Sequence, residues 1–274
     1  MTAEPVRTDL HDPPGVRFVP AEPSGVGVLV LAGSRGAADP DRARILATHG
    51  AITTSIQWFG GPGQHPGPWE IPIETFQEAI TSLRADCDRI VLVGVSFGAE
   101  AAMLTASHTD GIDAVAAFAP TDVVWAGVTD EGRQTSHWTI AGAPVPFVGF
   151  DPDWRASSDP PAFRDLYRAS RKRDPEAVAA ATIPVERIPT LVQVVGGDDQ
   201  VWPSDLHAVQ ISARRRAHGL PTTTVNLADA GHRTLLPGET EVRAGVRMRR
   251  GGTPRADREL GLLAWQEILP LLSR

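Results

Sequence analysis

Val26-Gly-Val-Leu-Val-Leu-Ala32 is a continuous apolar run closed by Gly33. A run with no polar face predicts a strand covered on both sides. Ala51 to Gln57 reads as a second strand, followed by a loop rich in glycine and proline from Phe59 to Pro68. Ile73, Phe76, Ile80 and Leu83 then recur at helical spacing and predict an amphipathic helix ending near Ala85. Arg89 to Val95 is the next buried strand, Ala99 to Ala106 is strongly helix-forming, and Ile112 to Ala119 is a further strand stopped by Pro120. From Thr121 to Pro189 the alternation breaks, with several tryptophans, many prolines and a charged helical piece at Phe163 to Arg173. It resumes with a strand at Thr190 to Gly196, a helix at Ser204 to His218, and a strand at Thr222 to Ala228. A closing helix at Ala256 to Leu272 offers Leu260, Leu263, Ile268 and Leu272 for burial.

Strands alternating with helices imply an α/β fold with a mostly parallel, doubly wound sheet, whose reactive groups sit at the carboxyl ends of the strands. The expected organisation is an extended polar arm at residues 1–24, a main domain at 25–274, and an inserted cap region at 121–189. The arm, Met1 to Pro23, has no apolar signal-peptide core. No stretch approaches the roughly 20 apolar residues of a membrane span. A cytoplasmic protein with no membrane partner is the expectation. With 26 lysines and arginines against 33 acidic residues, a formal charge of −7 argues against nonspecific nucleic-acid binding. The single cysteine, Cys87, cannot form an intramolecular disulfide and reads as a semi-buried residue before a strand.

Gly94-Val-Ser-Phe-Gly98 has the G-x-S-x-G pattern, placed between an apolar strand and an alanine-rich helix. In that context the glycines flank a strained turn that lifts Ser96 above the sheet as a nucleophile, in an α/β-hydrolase fold. A serine hydroxyl needs a base, and the base an orienting carboxylate. This fold supplies them in the chain order serine, acid, histidine. Gly196-Gly-Asp-Asp199 follows one late strand and Gly231-His232 the next. Asp199 is the expected acid, three residues past the strand-ending glycine, with Asp198 the alternative; His232 is the expected base. The oxyanion donors are expected to be the backbone N–H of Phe97 and that of Ser34 or Arg35, in the loop Gly33-Ser-Arg-Gly36. The Arg35 side chain is alternatively placed to grip an anionic part of the substrate. A serine nucleophile points to esters, thioesters or amides. The chain has no HExxH, cysteine–histidine cluster, Walker loop or G-x-G-x-x-G, so no metal or other cofactor is expected.

Several ordered segments go beyond a generic hydrolase. They are Leu31-Ala-Gly-Ser-Arg-Gly36, Gly94-Val-Ser-Phe-Gly-Ala-Glu-Ala-Ala102, Val123-Val-Trp125, Ser136-His-Trp138 with Pro144-Val-Pro-Phe147, Gly197-Asp-Asp-Gln-Val-Trp-Pro-Ser204, and Gly231-His232. Together they resemble the C-terminal catalytic domain of the acyl-CoA thioester hydrolases and the bile acid-CoA:amino acid N-acyltransferase. The resemblance implies that Ser96, Asp199 and His232 are nucleophile, acid and base, and that the substrate is a small-molecule acyl thioester or ester, with CoA and a carrier protein as the alternative carriers. Two departures stand out. The mammalian relatives carry an N-terminal β-sandwich domain where this chain has a short arm, so a stand-alone bacterial form is expected. The acyltransferase member uses cysteine where this chain has Ser96, and serine favours transfer to water.

Trp125, Trp138 and Trp154 lie in the 121–189 insertion and are candidate substrate-binding residues, with core filling as the alternative. Arg168, Arg171, Lys172 and Arg173, like Arg247 to Arg250 with Arg255, read as solvated cationic runs, with nucleotide-phosphate binding as the alternative. Three functions follow from the sequence. The first is a serine thioesterase or esterase, and the second an acyltransferase or cyclase delivering the acyl group to an amine or alcohol. The third is a catalytically silent hydrolase fold used as a binding module.

Overall fold

The apolar run of 26–31 is explained by two cores. In the computed structural model, which describes residues 3–240 and 247–273, Leu29 and Leu31 enter one hydrophobic cluster while Val28 and Val30 enter another. Both faces of this strand are covered, and no polar position survives on it. Ile90 and Leu92 against Val91 and Val93 repeat the alternation in a neighbouring strand. Burying each such side chain is worth about 1.5–3 kcal/mol.

The main-sheet strands are β1 (Val6–His11), β2 (Pro14–Val19), β3 (Val26–Leu31), β4 (Ile52–Ile56), β5 (Arg89–Val95), β6 (Ala114–Phe118), β7 (Thr190–Gly196) and β8 (Thr223–Leu227). Their order across the sheet is β1-β2-β4-β3-β5-β6-β7-β8. From β4 to β8 every pairing is parallel, while β1 and β2 join antiparallel. The helices are α1 (Pro40–Ala47), α2 (Glu74–Arg84), α3 (Phe97–Ser107), α4 (Arg164–Arg173), α5 (Pro175–Ala180), α6 (Ser204–Ala217) and α7 (Pro254–Ile268). Side chains of α2, α3 and α6 share one core cluster, and those of α1 and α7 the other, so helices cover both faces as expected for a doubly wound α/β-hydrolase sheet.

The N-terminal segment departs from the expected extended arm. Residues 6–19 form a hairpin that adds two strands to the sheet, and Val16 and Phe18 are buried in it. β2 buries Val16 and Phe18, with Gly15 before them and Arg17 between; the opening proline and glycine and the charged Arg17 disguised the strand. Residues 241–246 and 274, within the expected 25–274 domain, and residues 1–2 of the arm lie outside the described residues.

The closing helix starts at Pro254, because Thr253 caps it through its Oγ1 (3.1 Å from the Ala256 N–H) and proline suits the first turn. It gives way to a 3-10 turn at Leu269–Leu272. Leu260, Ile268 and Leu272 are buried, but Leu263 is 38% exposed; Ala264 occupies the inward position instead.

The insertion between β6 and β7 contains short strands at Ala126–Val128, Gln134–Ser136, Trp138–Ile140 and Ala143–Pro144 as well as α4 and α5. The basic run in α4 is not uniformly solvated. Arg171 is withdrawn from water and forms a two-pronged ion pair with Asp122, at 2.8 and 3.0 Å, while Arg173 bridges Asp151 and Asp153. Arg247 pairs with Asp159.

Candidate active site

β5 ends at Val95 and α3 begins at Phe97, so Ser96 must reverse the chain alone. It does so with φ +58°, a conformation that for a non-glycine residue costs of order 1–3 kcal/mol and clusters at functional sites. A Cβ on Gly94 would collide with the backbone of Gly98, and one on Gly98 with the carbonyls of Leu31 and Ala32. Strand and helix therefore cross without side chains between them, which leaves glycine at both positions. The Ser96 N–H donates to the Phe118 carbonyl (2.9 Å), fixing the turn to β6. As the first residue of α3, Phe97 has a backbone N–H with no acceptor inside the helix.

The next element is the turn at Gly33–Gly36, closed by the Gly36 N–H on the Gly33 carbonyl (3.0 Å). A side-chain carbon at Gly33 would stand 3.6 Å from the Ser96 Cβ, so this turn borders the serine directly. Ser34 and Arg35 are exposed on it. The loops after β3 and β5 thus meet at Ser96, as a two-donor oxyanion site requires.

Asp199 and His232 follow the adjacent strands β7 and β8. A Cβ on Gly196 would meet the carbonyls of Gly231 and Ala230, so the two loops approach more closely than any other residue allows. Asp199 is fully buried. Its Oδ1 accepts the N–H groups of Val201 (2.9 Å) and Trp202 (3.3 Å), and its Oδ2 accepts the Ser204 hydroxyl (2.8 Å). His232 Nδ1 lies 2.8 Å from the same Oδ2. A carboxylate only accepts, so this contact places the imidazole proton on Nδ1 and leaves Nε2 bare, the tautomer a general base needs. Asp198, the alternative acid, points elsewhere: it accepts from Gln200 Nε2 (2.6 Å) and the Gly252 N–H (2.8 Å) and pins the loop beside His232.

A run of aromatic contacts links these pieces. Trp202, fully buried, stands edge-on to His232 (5.8 Å between ring centres) and to Phe97 (5.3 Å). Phe97 in turn lies 4.3 Å from His137. Burial holds the His137 imidazole down at about 3, so it is neutral. Ser204, Trp202 and Arg164, whose Nη1 donates to the Asp199 carbonyl (2.9 Å), surround Asp199, and none of them has a role read from the sequence. Trp202 and Ser204 stand in the Gly197–Ser204 segment that carries the family resemblance, but no role was read for either; Arg164 had no such signal.

Of the candidate tryptophans, Trp125 and Trp138 are fully buried and held by hydrogen bonds, Trp125 Nε1 to Thr121 Oγ1 (2.9 Å) and Trp138 Nε1 to Glu100 Oε1 (2.7 Å). Trp154 is half-buried against Phe163 (5.8 Å), and Phe163 begins a segment whose N–H groups reach the Gln200 carbonyl. Two surface grooves, of about 640 and 340 Å³, lie elsewhere, around Ser107–Ile112 with Arg187 and around Asp122 with Gln210. Among the described residues no cluster of three metal-ligating side chains occurs, and no helix is long and apolar enough to cross a membrane.

The sequence profile of the family described as BAAT / Acyl-CoA thioester hydrolase C terminal matches residues 71–274. Mouse acyl-coenzyme A thioesterase 2, mitochondrial, is 26% identical over 264 residues, covering 92% of this chain and 56% of its own length. Mouse acyl-coenzyme A thioesterase 1 is likewise 26% identical, with 92% and 60% covered. The chain therefore spans a little over half the length of these relatives. Among solved structures, a putative dienelactone hydrolase from Klebsiella pneumoniae superposes with a TM-score of 0.55 at 13% identity, covering 98% of this chain and 97% of its own. The dienelactone hydrolase-like phosphotriesterase P91, from metagenomic libraries, gives 0.53 at 13%, with 99% and 98% covered. At such identities the likeness establishes the shared fold.

Proposed function

Since the chain belongs to the BAAT / acyl-CoA thioester hydrolase C-terminal family, we propose that it is a serine hydrolase of acyl thioesters, acting through an acyl-enzyme. The observation that carries this reading is the 2.8 Å contact between His232 Nδ1 and Asp199, on the same strand-end rim as the strained Ser96 turn. His232 Nε2 takes the Ser96 proton as Oγ attacks the acyl carbon. The N–H groups of Phe97 and of Ser34 or Arg35 hold the oxyanion. The C–S bond breaks, and the leaving thiolate takes the proton from His232. Water, deprotonated by His232, then attacks the Ser96 ester; collapse of that intermediate returns a proton to Oγ and releases the acid. Trp154 retains surface to meet the acyl chain, while Trp125 and Trp138 shape the wall from behind; the 121–189 insertion serves as the cap.

The test is a hydrolysis screen over acyl-CoAs, acyl-carrier thioesters and aryl esters, with and without amine acceptors, beside fluorophosphonate labelling. Thioester turnover with labelling at Ser96, both abolished in Ser96→Ala, is the expected result. Amide formation on adding an amine would move the assignment to acyl transfer. No labelling of folded protein would leave only a binding role.

A further inference from the structure

α3 is buried on almost every side, yet its first turn carries a glutamate. Glu100 is fully buried, and its N–H donates to the carbonyl of Ser96 (3.1 Å), one turn from the nucleophile. A single oxygen, Oε1, accepts both the Trp138 indole N–H (2.7 Å) and the Trp125 backbone N–H (3.2 Å). These two residues flank the hairpin of strands Ala126–Val128 and Gln134–Ser136, so Oε1 gathers both ends of that hairpin onto the nucleophile helix. Oε2 is buried and meets no donor or acceptor among the described residues.

We propose that Glu100 is a positioning residue which latches the first part of the insertion onto the helix carrying Ser96, and that it does so as a neutral carboxylic acid. An ionised carboxylate would leave Oε2 charged, buried and without a donor, a far costlier arrangement than the acid form. With both donors on Oε1, the proton resides on Oε2. The titratable groups around the latch offer no compensating cation. They are His137, stacked on the Trp138 ring at 4.6 Å and neutral; Tyr167 of α4, edge-on to Trp125 at 4.6 Å; and His207 of α6, at 6.0 Å from Trp125 and engaged with Asp122, which Arg171 already neutralises. Burial outweighs the bonds from Trp138 and Trp125 and pushes the Glu100 carboxyl up to about 8. Burial raises the Tyr167 hydroxyl as well, so it too is neutral.

The latch acts through Trp125, Trp138 and the stacked His137 on Phe97, the residue whose N–H faces the oxyanion. Only this catalytic consequence rests on the acyl-hydrolase reading. The native chain keeps a proton that the unfolded chain releases, so the Glu100 contribution to stability falls as pH rises from about 4.5 to about 8 and is level above.

The experiment compares wild type, Glu100→Gln, Glu100→Ala and Trp138→Phe by amide hydrogen exchange across residues 121–148, expressed as protection relative to free peptide, and by the rate of fluorophosphonate labelling of Ser96. Both are followed from about pH 6 to about pH 9. Glutamine keeps the acceptor and the neutral charge. Glu100→Gln is therefore expected to keep its protection across the range, while the wild type loses protection progressively up to about pH 8 and loses labelling as the carboxyl ionises near pH 8. Its melting temperature should gain on the wild type as pH rises to about 8 and hold level above. Glu100→Ala loses both at every pH, with labelling slowed about tenfold, as the loss of two neutral buried hydrogen bonds predicts. Trp138→Phe lies between. Full protection in Glu100→Ala, or the same alkaline loss in Glu100→Gln as in wild type, would overturn the proposal. If Glu100→Ala does not fold, the pH dependence of Glu100→Gln against wild type decides. Absence of labelling in the wild type would defeat the acyl-hydrolase reading alone, because protection of 121–148 reports the latch without chemistry.

Discussion

Two buried aspartate–histidine pairs flank Trp202, and only one has the surroundings that the proposed proton transfer needs. Asp199 and His232 meet at 2.8 Å, and Asp122 and His207 at 2.5 Å; the two imidazoles lie 5.8 and 6.0 Å from the same indole. Their surroundings differ. Asp199 is held by two backbone N–H groups and the Ser204 hydroxyl, all neutral, so its charge is left for His232. Asp122 already carries a two-pronged ion pair from Arg171. The His232 side chain is 10% exposed, on the loop that follows β8, whereas His207 is fully enclosed with Nε2 lacking any partner among the described residues. An aspartate beside a histidine is thus not a catalytic signature by itself. The proposed role also needs a second nitrogen open to the surface and an uncommitted carboxylate charge, and these are what set the two pairs apart.

The sharpest way to break this contrast is to neutralise each aspartate. Asp199→Asn should lower kcat/KM by about 10⁴-fold, or roughly 5 kcal/mol, because the amide either donates to Nδ1 or fixes the wrong tautomer. Steady-state hydrolysis of the best substrate from the screen measures it, and a loss under tenfold would place the catalytic acid elsewhere. Asp122→Asn should do the reverse. It leaves the Arg171 guanidinium largely buried without its counter-ion, which costs about 3–5 kcal/mol of stability, while kcat changes by less than about tenfold. Urea unfolding beside the same assay reads both.

The pH dependence of that stability difference is a second, smaller discriminator. Burial alone would raise the Asp122 carboxyl, but the His207 hydrogen bond and the His207 and Arg171 charges outweigh it and hold the carboxyl below the usual range. A carboxyl lower in the folded than in the unfolded chain stabilises above its unfolded value, and that contribution is lost as pH falls through the folded one. The advantage of wild type over Asp122→Asn should therefore be full near neutrality and shrink below about pH 4. An advantage unchanged down to about pH 2 would mean that the pair carries no net charge coupling.

Elements covered on both faces were legible in the sequence, since burial leaves them uninterrupted apolar runs; β3, β5 and β7 fall within a residue of expectation. Elements that compromise with water were not. β2 hides behind its opening Pro14-Gly15 and the charged Arg17, and α1 was not anticipated although Asp39 caps it and Pro40 opens it. Its buried face includes Arg42, a residue that reads as solvent-facing until Glu239, nearly two hundred positions away, is seen to pair with it under the Phe118 ring. The site divides similarly. Ser96 and His232 announce themselves through glycine-bounded turns, a local constraint. Glu100, Ser204 and Arg164 act through partners distant in sequence or in contacts that no spacing encodes.

Removing the neutral support of Asp199 tests whether its charge is as uncommitted as the comparison requires. Ser204→Ala deletes one of the donors on the oxygen that His232 also uses. The loss of one hydrogen bond to a charged group, about 1.5 kcal/mol, predicts a roughly tenfold fall in kcat/KM with the fold intact. A fall as deep as that of Asp199→Asn would mean that the hydroxyl is part of the proton path rather than a prop.

The smallest effect is expected at Asp198, and it is the one that separates the two aspartates of the Gly-Gly-Asp-Asp turn. Asp198 accepts from the Gly252 N–H and from Gln200, both polar and near the surface, and makes no contact with His232. Asparagine retains a carbonyl that accepts from Gly252, so Asp198→Asn should change kcat/KM by less than about threefold, the range of an exposed hydrogen bond retained by an isostere. Whatever it loses should appear in KM, through a looser 250–252 loop, because the His232 N–H is anchored on the Arg250 carbonyl (2.9 Å) next to that bond. A drop of about a thousandfold or more in kcat would assign the catalytic acid to Asp198 and leave Asp199, despite its 2.8 Å contact, in the structural role now given to Asp122.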